Sequence, residues 1–290
     1  MIKKLVDNGN LVVSPTSNEL DLRYFNDFGI YNSHKYDLIF HLAAWTQAGD
    51  FASKFPGSQW INNQRINTNV VSWWKEFQPQ AYFISIGTSC SYASESNYEE
   101  SSYLDGFPHG DLLVYGYTKR MVYLAQSALE KEFGLKSLVA VPSTLYGKGY
   151  EINNRQPHFI FDLIKKCLNY KYFQTPIEIW GNGKQKRELI LVDDFVDNLL
   201  QLVIMGHTGL INIGSGEEYE ILHYLNQVAK ICGLDNYNVK FKLDAYVGVL
   251  SKKLAINKIA NTIPKVKKTS LEKGLRLTIE DIESRYYKNN

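Results

Sequence analysis

Apolar residues fall along this chain in short dense runs, each followed by a longer stretch in which they recur every three or four positions. Residues 36–44 (YDLIFHLAA), 82–86 (YFISI) and 136–141 (KSLVAV) are runs of the first kind. Runs that short, bounded by turn residues, predict buried strands. Residues 59–77, and a segment carrying Tyr115 and Lys119 that runs to about 133, show the helical recurrence. Residues 1–9 read as the end of an amphipathic helix closing at Asn8-Gly9, with glycine as the stop signal. Residues 10–13 read as a short strand broken by Pro15, and residues 93–112 as a polar loop. After Gly149 the pattern loosens into a helix over 157–168, a strand over 177–180 and a turn at Gly181-Asn182-Gly183. A strand and helix follow over 188–205, then a strand and turn over 210–216 and a helix over 221–233. Asp193-Asp194 stand at a helix start, where carboxylates suit the dipole. Strands alternating with helices predict an α/β fold, a doubly wound parallel sheet covered on both faces. The first domain is expected over residues 1–149, and a smaller α/β lobe over 150–290 with some segments returning to the first.

At 290 residues the chain has room for one large or two small domains. Its 44% hydrophobic and 21% charged residues suit a soluble globular protein. A net charge of +2 gives no reason to invoke nucleic acid or membrane as a partner. No apolar run reaches the length of a bilayer span, and no signal-peptide pattern is present. Three cysteines (Cys90, Cys167, Cys232) without metal-type spacing point to a reducing compartment, the cytoplasm, and to no metal site.

The chemistry concentrates in residues 82–119. The central strand stops at Gly87 and is followed by Thr88, Ser89 and Cys90. Hydroxyls just past a strand's carboxyl end sit where open α/β sheets bind ligands. Downstream, VYGYTK sets Tyr115 four residues before Lys119, which on a helix puts both on one face. An ammonium beside a phenol lowers its pKa and suits it to proton exchange near neutral pH. With a hydroxyl to hold the reacting oxygen, this is equipment for moving a hydride to or from a carbinol carbon beside a nicotinamide. Tyr-x-x-x-Lys alone arises readily by chance in a chain with 20 tyrosines. The weight lies in the order: strand, Gly-Thr-Ser-Cys, Tyr-x-x-x-Lys, a further strand, then PSTLYG at 142–147.

That order resembles the extended short-chain dehydrogenase/reductases, whose fold is a Rossmann-type doubly wound sheet. IGTSCSY, YGYTK, VPSTLYG followed by PHFIFDLIKK, IWGNGKQKRELILVDD and INIGSG together resemble the NAD-dependent epimerase/dehydratase family. Within it they are most similar to the GDP-L-fucose synthases, epimerase/reductases acting on a GDP-linked 4-keto-6-deoxy sugar. The likeness runs from residue 1 to about 280. It implies that Thr88 stands for the catalytic serine, Tyr115 and Lys119 serve reduction, and Cys90 and His158 act as base and acid in epimerisation. Moving a stereocentre beside a ketone requires a proton to leave one face and return to the other. Dehydratase relatives carry an Asp-Glu pair after that hydroxyl; Ser89-Cys90 stand there instead. Trp180, Arg187, Lys166 and Lys253 match contacts to the nucleotide diphosphate of the sugar substrate. Asp21 and Leu22 match the adenine side of the cofactor site, Ala43 and Ala44 lie near the cofactor in relatives, and Pro142, Thr144 and Leu145 match the turn at the nicotinamide end. Residues 12–17 lack the acid that usually holds the ribose hydroxyls of NAD. The expected cofactor is therefore NADP(H) rather than NAD(H), although no basic residue for the 2′-phosphate stands there either. A homodimer through the helices flanking the catalytic strand is also implied. Trp73 and Trp74 lie on the first of these helices, and two consecutive Trp residues are not expected to face one core.

The front of the chain departs from the pattern. The first strand and the G-x-x-G-x-x-G turn that receives a pyrophosphate do not occur in the sequence. That strand is central in the fold, between the second and fourth, and its loss would leave unpaired backbone groups. Two readings stay open: coding sequence upstream of Met1, favoured by the intact catalytic set, or a variant without a cofactor loop. Two alternative functions stay open as well, another nucleotide-sugar 4-epimerase or 4-reductase, and a non-catalytic nucleotide-sugar-binding protein.

Overall fold

The apolar runs become strands because a parallel sheet covered on both faces buries every residue of each run, so no polar alternation is needed. A computed structural model describes residues 1–153, 156–245 and 247–288. Its strands in chain order are β1 (Leu38–His41), β2 (Tyr82–Ile86), β3 (Ser137–Pro142), β4 (Thr144–Tyr146), β5 (Ile177–Trp180), β6 (Lys186–Leu191), β7 (Gly209–Ile213), β8 (Glu218–Glu220) and β9 (Val239–Lys242). Its helices are α1 (Ile2–Asp7), α2 (Phe51–Lys54), α3 (Pro56–Phe77), α4 (Leu113–Phe133), α5 (Phe159–Phe173), α6 (Val192–Ile204), α7 (Ile221–Cys232), α8 (Asn257–Thr262) and α9 (Leu271–Tyr286).

The main sheet has the order β1-β2-β3-β7 and is parallel throughout. Its pleat sorts side chains between two layers. Tyr82, Ile84, Leu138, Ala140 and Ile211 pack with Phe195, Leu199 and Leu202 of α6. Phe83, between two of them, turns to the opposite face and packs with Trp73 and Trp74 of α3. A second core gathers Tyr146 with residues of α5, α7 and α9. Over it lie a three-stranded sheet, β4-β6-β8, and the parallel pair β5-β9.

Two expectations fail here. Residues 10–13 form no strand, and Leu11 is fully exposed. A strand needs a ladder neighbour; β1 pairs with β2 alone, and among the described residues no strand lies along its other edge. Trp73 and Trp74 are both buried inside the chain. Consecutive helical residues diverge by about 100°, and α3 is sandwiched, so the two rings reach different neighbours within one core. Trp74 stacks on Phe83 of the sheet at 4.6 Å and donates its indole N–H to Ala81 O at 3.0 Å. Trp73 packs on Phe28 at 5.4 Å, in the 3-10 turn Phe25–Tyr31, and donates to Asn32 Oδ1 at 2.9 Å.

Candidate active site

Three parallel strands, β1, β2 and β3, end at one edge of the sheet, so their following residues converge there. After β2 the chain turns at Thr88, in extended conformation, into a 3-10 turn Ser89–Ser91; Thr88 Oγ1 accepts from Cys90 N at 3.2 Å. The first turns of α4 press against this bend. A Cβ on Gly116 would stand 2.8 Å from Cys90 O, so the residue between the two tyrosines must be glycine for the helix to come this close. Ser91 Oγ donates to Gly116 O at 3.0 Å, and Arg120 spreads its guanidinium over the carbonyls of Ser91, Leu104, Asp105 and Gly106.

The result brings Thr88, Cys90, Tyr115 and Lys119 into one cluster. Thr88 hydrogen-bonds the Tyr115 phenol. Burial, with Cys90 and Tyr103 adding, pushes that phenol up. The expected lowering of Tyr115 by Lys119 is not found. Lys119 Nζ donates to Ile86 O at 2.9 Å instead, and burial brings the ammonium down to about 8. Behind it, burial and the Lys119 charge push His41 down to about 4, so the imidazole is neutral at pH 7. Its Nε2 meets Asn67 Oδ1 at 3.1 Å, and Asn67 Nδ2 donates to Thr118 O at 3.3 Å. Asn63, one turn earlier on α3, clasps the loop after β1: it accepts from Trp45 N at 2.9 Å and donates to Trp45 O at 3.0 Å. That loop holds exposed Ala43 and half-buried Ala44.

Cys90 is half-buried, and its sulfur accepts from Lys252 Nζ at 3.1 Å. Burial raises the thiol, but Lys252, Thr88 and Arg187 outweigh it, and the net direction is down. Arg187 lies on β6 and donates to Val247 O and Val249 O at 2.7 Å each, fixing the loop that leads to Lys252. Its neighbour Glu188, almost wholly buried, accepts from Leu254 N and Gly216 N at 2.7 Å each. Burial keeps that carboxyl above its ordinary range against these bonds. Gly214 makes room for it, since a Cβ there would stand 2.3 Å from Glu188 Oε1.

The remaining expected residues are placed as follows. His158 is the N-cap residue of α5, exposed, with its ring 6.4 Å from that of Tyr150. Lys166 pairs with Asp162 one turn earlier at 2.5 Å. Trp180 ends β5, 38% exposed, beside a cavity of about 510 Å³ lined by Gly181, Lys184, Lys186, Glu218 and Ser251. Lys253 is exposed, and Lys252 takes the inward place. Asp21 is paired with Arg23 at 2.5 Å, and Leu22 packs against the core that holds Trp73 and Trp74. Pro142 closes β3, and Thr144 and Leu145 open β4, all half-buried. Lys252, Glu188, Asn63 and Asn67 were not singled out from the sequence. The two asparagines had one available signal, polar residues on the buried stripe of an otherwise apolar helix face.

A Tyr-x-x-x-Lys helix packed on the hydroxyl-bearing end of a parallel strand defines a nucleotide-dependent short-chain dehydrogenase/reductase architecture. The model of the NAD dependent epimerase/dehydratase family matches residues 4–214, and the chain belongs to that family. A GDP-L-colitose synthase of Yersinia pseudotuberculosis is 26% identical over 277 residues, 92% of this chain and 88% of the relative. Among solved structures, a GDP-L-fucose synthetase from Naegleria fowleri bound to NADP superposes with a TM-score of 0.83 at 21% identity, over 99% of this chain and 91% of that one. A GDP-6-OMe-4-keto-L-xylo-heptose reductase from C. jejuni does so with a TM-score of 0.86 at 18% identity, over 98% and 93%. At such identities the structural likeness establishes the fold.

Proposed function

We propose that the chain is an NADP(H)-dependent epimerase/reductase acting on a GDP-linked 4-keto sugar. The observation that carries this is the cluster of Thr88, Cys90, Tyr115 and Lys119 at the carboxyl end of β2. The names of the relatives, each a GDP-sugar synthase or reductase, support the substrate class. The donor set fits the cofactor's nicotinamide end: Tyr115 and Lys119, with Ala43, Ala44, Pro142, Thr144 and Leu145 at the same sheet edge. When bound, NADPH would supply the hydride. Tyr115, kept protonated by its burial, donates a proton to the ketone oxygen. Thr88 holds that oxygen and hydrogen-bonds the phenol that has given up its proton, while Lys119, fixed on the Ile86 carbonyl, keeps a positive charge at the end of β2. Cys90 removes a proton from a carbon beside the ketone, and His158 is the acid that the resemblance assigns to the other face. Trp180, Arg187 and the lysines about the neighbouring cavity receive the nucleotide diphosphate.

The test is NMR of GDP-4-keto-6-deoxymannose in D₂O with and without NADPH. Tyr115→Phe should cut NADPH oxidation by about 10²–10⁴-fold, the usual size of a general acid contribution, and leave GDP-sugar binding within a few-fold. Cys90→Ser should slow deuterium entry beside the ketone by a similar factor. Full NADPH oxidation in Tyr115→Phe ends the reductase assignment.

A second reading, a GDP-sugar 4-reductase without epimerisation, is favoured by one observation: His158 lies at the exposed end of α5 while the partner of Cys90 is Lys252. Deuterium entry in the parent protein no faster than without enzyme would select it. The same proposal includes a homodimer, supported by exposed Trp60 and Ile61 on α3 and Met121 and Leu124 on the adjacent α4. A monomer by sedimentation would remove that part. It also includes a cytoplasmic location, where three free cysteines stay reduced; export of the chain in a fractionation would remove it.

A further inference from the structure

We propose that Lys252 is a positioning residue that holds Cys90 as the thiolate; the inference rests on the reading of Cys90 as the base of epimerisation. Residues 251–254 lie in no helix or strand, and their exposure alternates: Ser251 out, Lys252 in, Lys253 out, Leu254 buried. The segment is fixed at both ends. Ser251 Oγ donates to the two carboxylate oxygens of Glu218 at 3.0 and 2.7 Å, and Leu254 N donates to buried Glu188 at 2.7 Å. Between these two anchors Lys252 turns inward, toward the turn after β2, and there its Nζ lies 3.1 Å from Cys90 Sγ.

Charge accounting supports the same role. Among the described residues no carboxylate lies within ion-pair distance of Lys252. The groups facing the sulfur are Lys252 and Arg187, both cationic, and the phenols of Tyr98, Tyr103 and Tyr115. Arg187 is committed to the loop carbonyls of Val247 and Val249. The ammonium therefore has the thiolate as its counter-charge. A half-buried thiolate without one would bear an uncompensated desolvation cost.

In the reaction the thiolate takes the proton from the carbon beside the ketone and becomes a neutral thiol, and the electron pair passes to the enolate. The enolate carbon takes a proton from the acid on the other face, and Cys90 gives its own proton up to solvent, which restores the ammonium–thiolate pair; Lys252 donates no atom.

The test reads ionisation in the protein without substrate, by the pH dependence of iodoacetamide alkylation. Cys167 and Cys232 are buried and pushed up, so alkylation near neutral pH reports Cys90, and Cys90→Ser gives the blank. An opposite charge in contact moves an ionisation by about one unit or more. Lys252→Met should therefore move the alkylation midpoint upward and slow alkylation at neutral pH about tenfold or more. Lys252→Arg should restore it, and Lys253→Met should leave it in place. A midpoint that stays put in Lys252→Met overturns the proposal, including the case in which that variant only weakens GDP binding and the lysine is a diphosphate contact. The two readings fail separately. Unchanged deuterium entry in Cys90→Ser would remove Cys90 as the base while the alkylation midpoints still report whether Lys252 sets the thiolate.

Discussion

At the scale of single residues, Lys119 sets a pH limit on the proposed reduction. Burial lowers its ammonium to about 8, so the charge is present below that value and is lost as pH rises through it. The negative charge that hydride transfer brings to the ketone oxygen then develops with no cation at the end of β2. NADPH oxidation should fall above about pH 8, while deuterium entry driven by the Cys90 thiolate should not fall there. Lys119→Arg, whose guanidinium stays charged, should lose the alkaline limb in a pH–rate profile; an unmoved limb would assign it to another group. The closeness of Thr88, Cys90, Tyr115 and Lys119 was legible in the sequence because two short-range rules fix it, a strand end and an i, i+4 spacing. Lys252 was not legible. It reaches Cys90 across 162 positions of chain, from an irregular segment where two adjacent lysines look alike until the anchors at Glu218 and Glu188 decide which faces in. The expected depression of Tyr115 also failed at this scale, because the ammonium's direction depends on the Ile86 carbonyl, which no spacing rule describes.

At the scale of elements, α4 and the turn after β2 are held at contact distance by a missing side chain. Gly116→Ala should gain roughly 0.5–1 kcal/mol of helix propensity. The new methyl would meet Cys90 O and Pro108 at 2.8 Å, and overpacking of that kind costs about 1–3 kcal/mol. The backbone carbonyl cannot swing aside, so the steric effect should prevail. The expected outcome is a lower melting temperature and slower turnover together. A variant with raised melting temperature would show that α4 can move off the turn freely. The strands of the main sheet and the long helices α3 and α4 were readable from the apolar pattern. The strand expected at 10–13 was not formed, since local sequence specifies strand character but the ladder partner must come from elsewhere. The burial of both Trp73 and Trp74 was missed for a related reason: periodicity gives a helix its apolar stripe but not the number of layers packed around it.

At the scale of the whole molecule, α9 is tied to α5 through Glu283. Burial would raise this carboxyl, but Lys171, Lys288 and the Tyr172 hydroxyl outweigh it and bring it to about 2. A carboxylate held below its ordinary value contributes stability above that value and loses it as pH falls. The contribution should thus be full above about pH 4.5 and gone near pH 2. Glu283→Gln should lower stability by about 2 kcal/mol at neutral pH, with the gap to the parent closing through that window in thermal melts. A gap independent of pH would mean that packing, not charge, is what Gln disturbs.

The chain also crosses repeatedly between its two cores. It leaves the main sheet after β3, returns for α6 and β7, leaves for β8 and α7, returns for α8 and leaves again for α9. During synthesis β3 therefore waits for β7, emerging some way behind it, before its outer edge is paired. The first core lacks Ile259 and Ile263, and the second lacks Leu275, Ile279 and Ile282, until residues 259–282 have left the ribosome. A nascent chain halted between Cys232 and Ile259 holds two unfinished cores rather than one finished lobe and one missing.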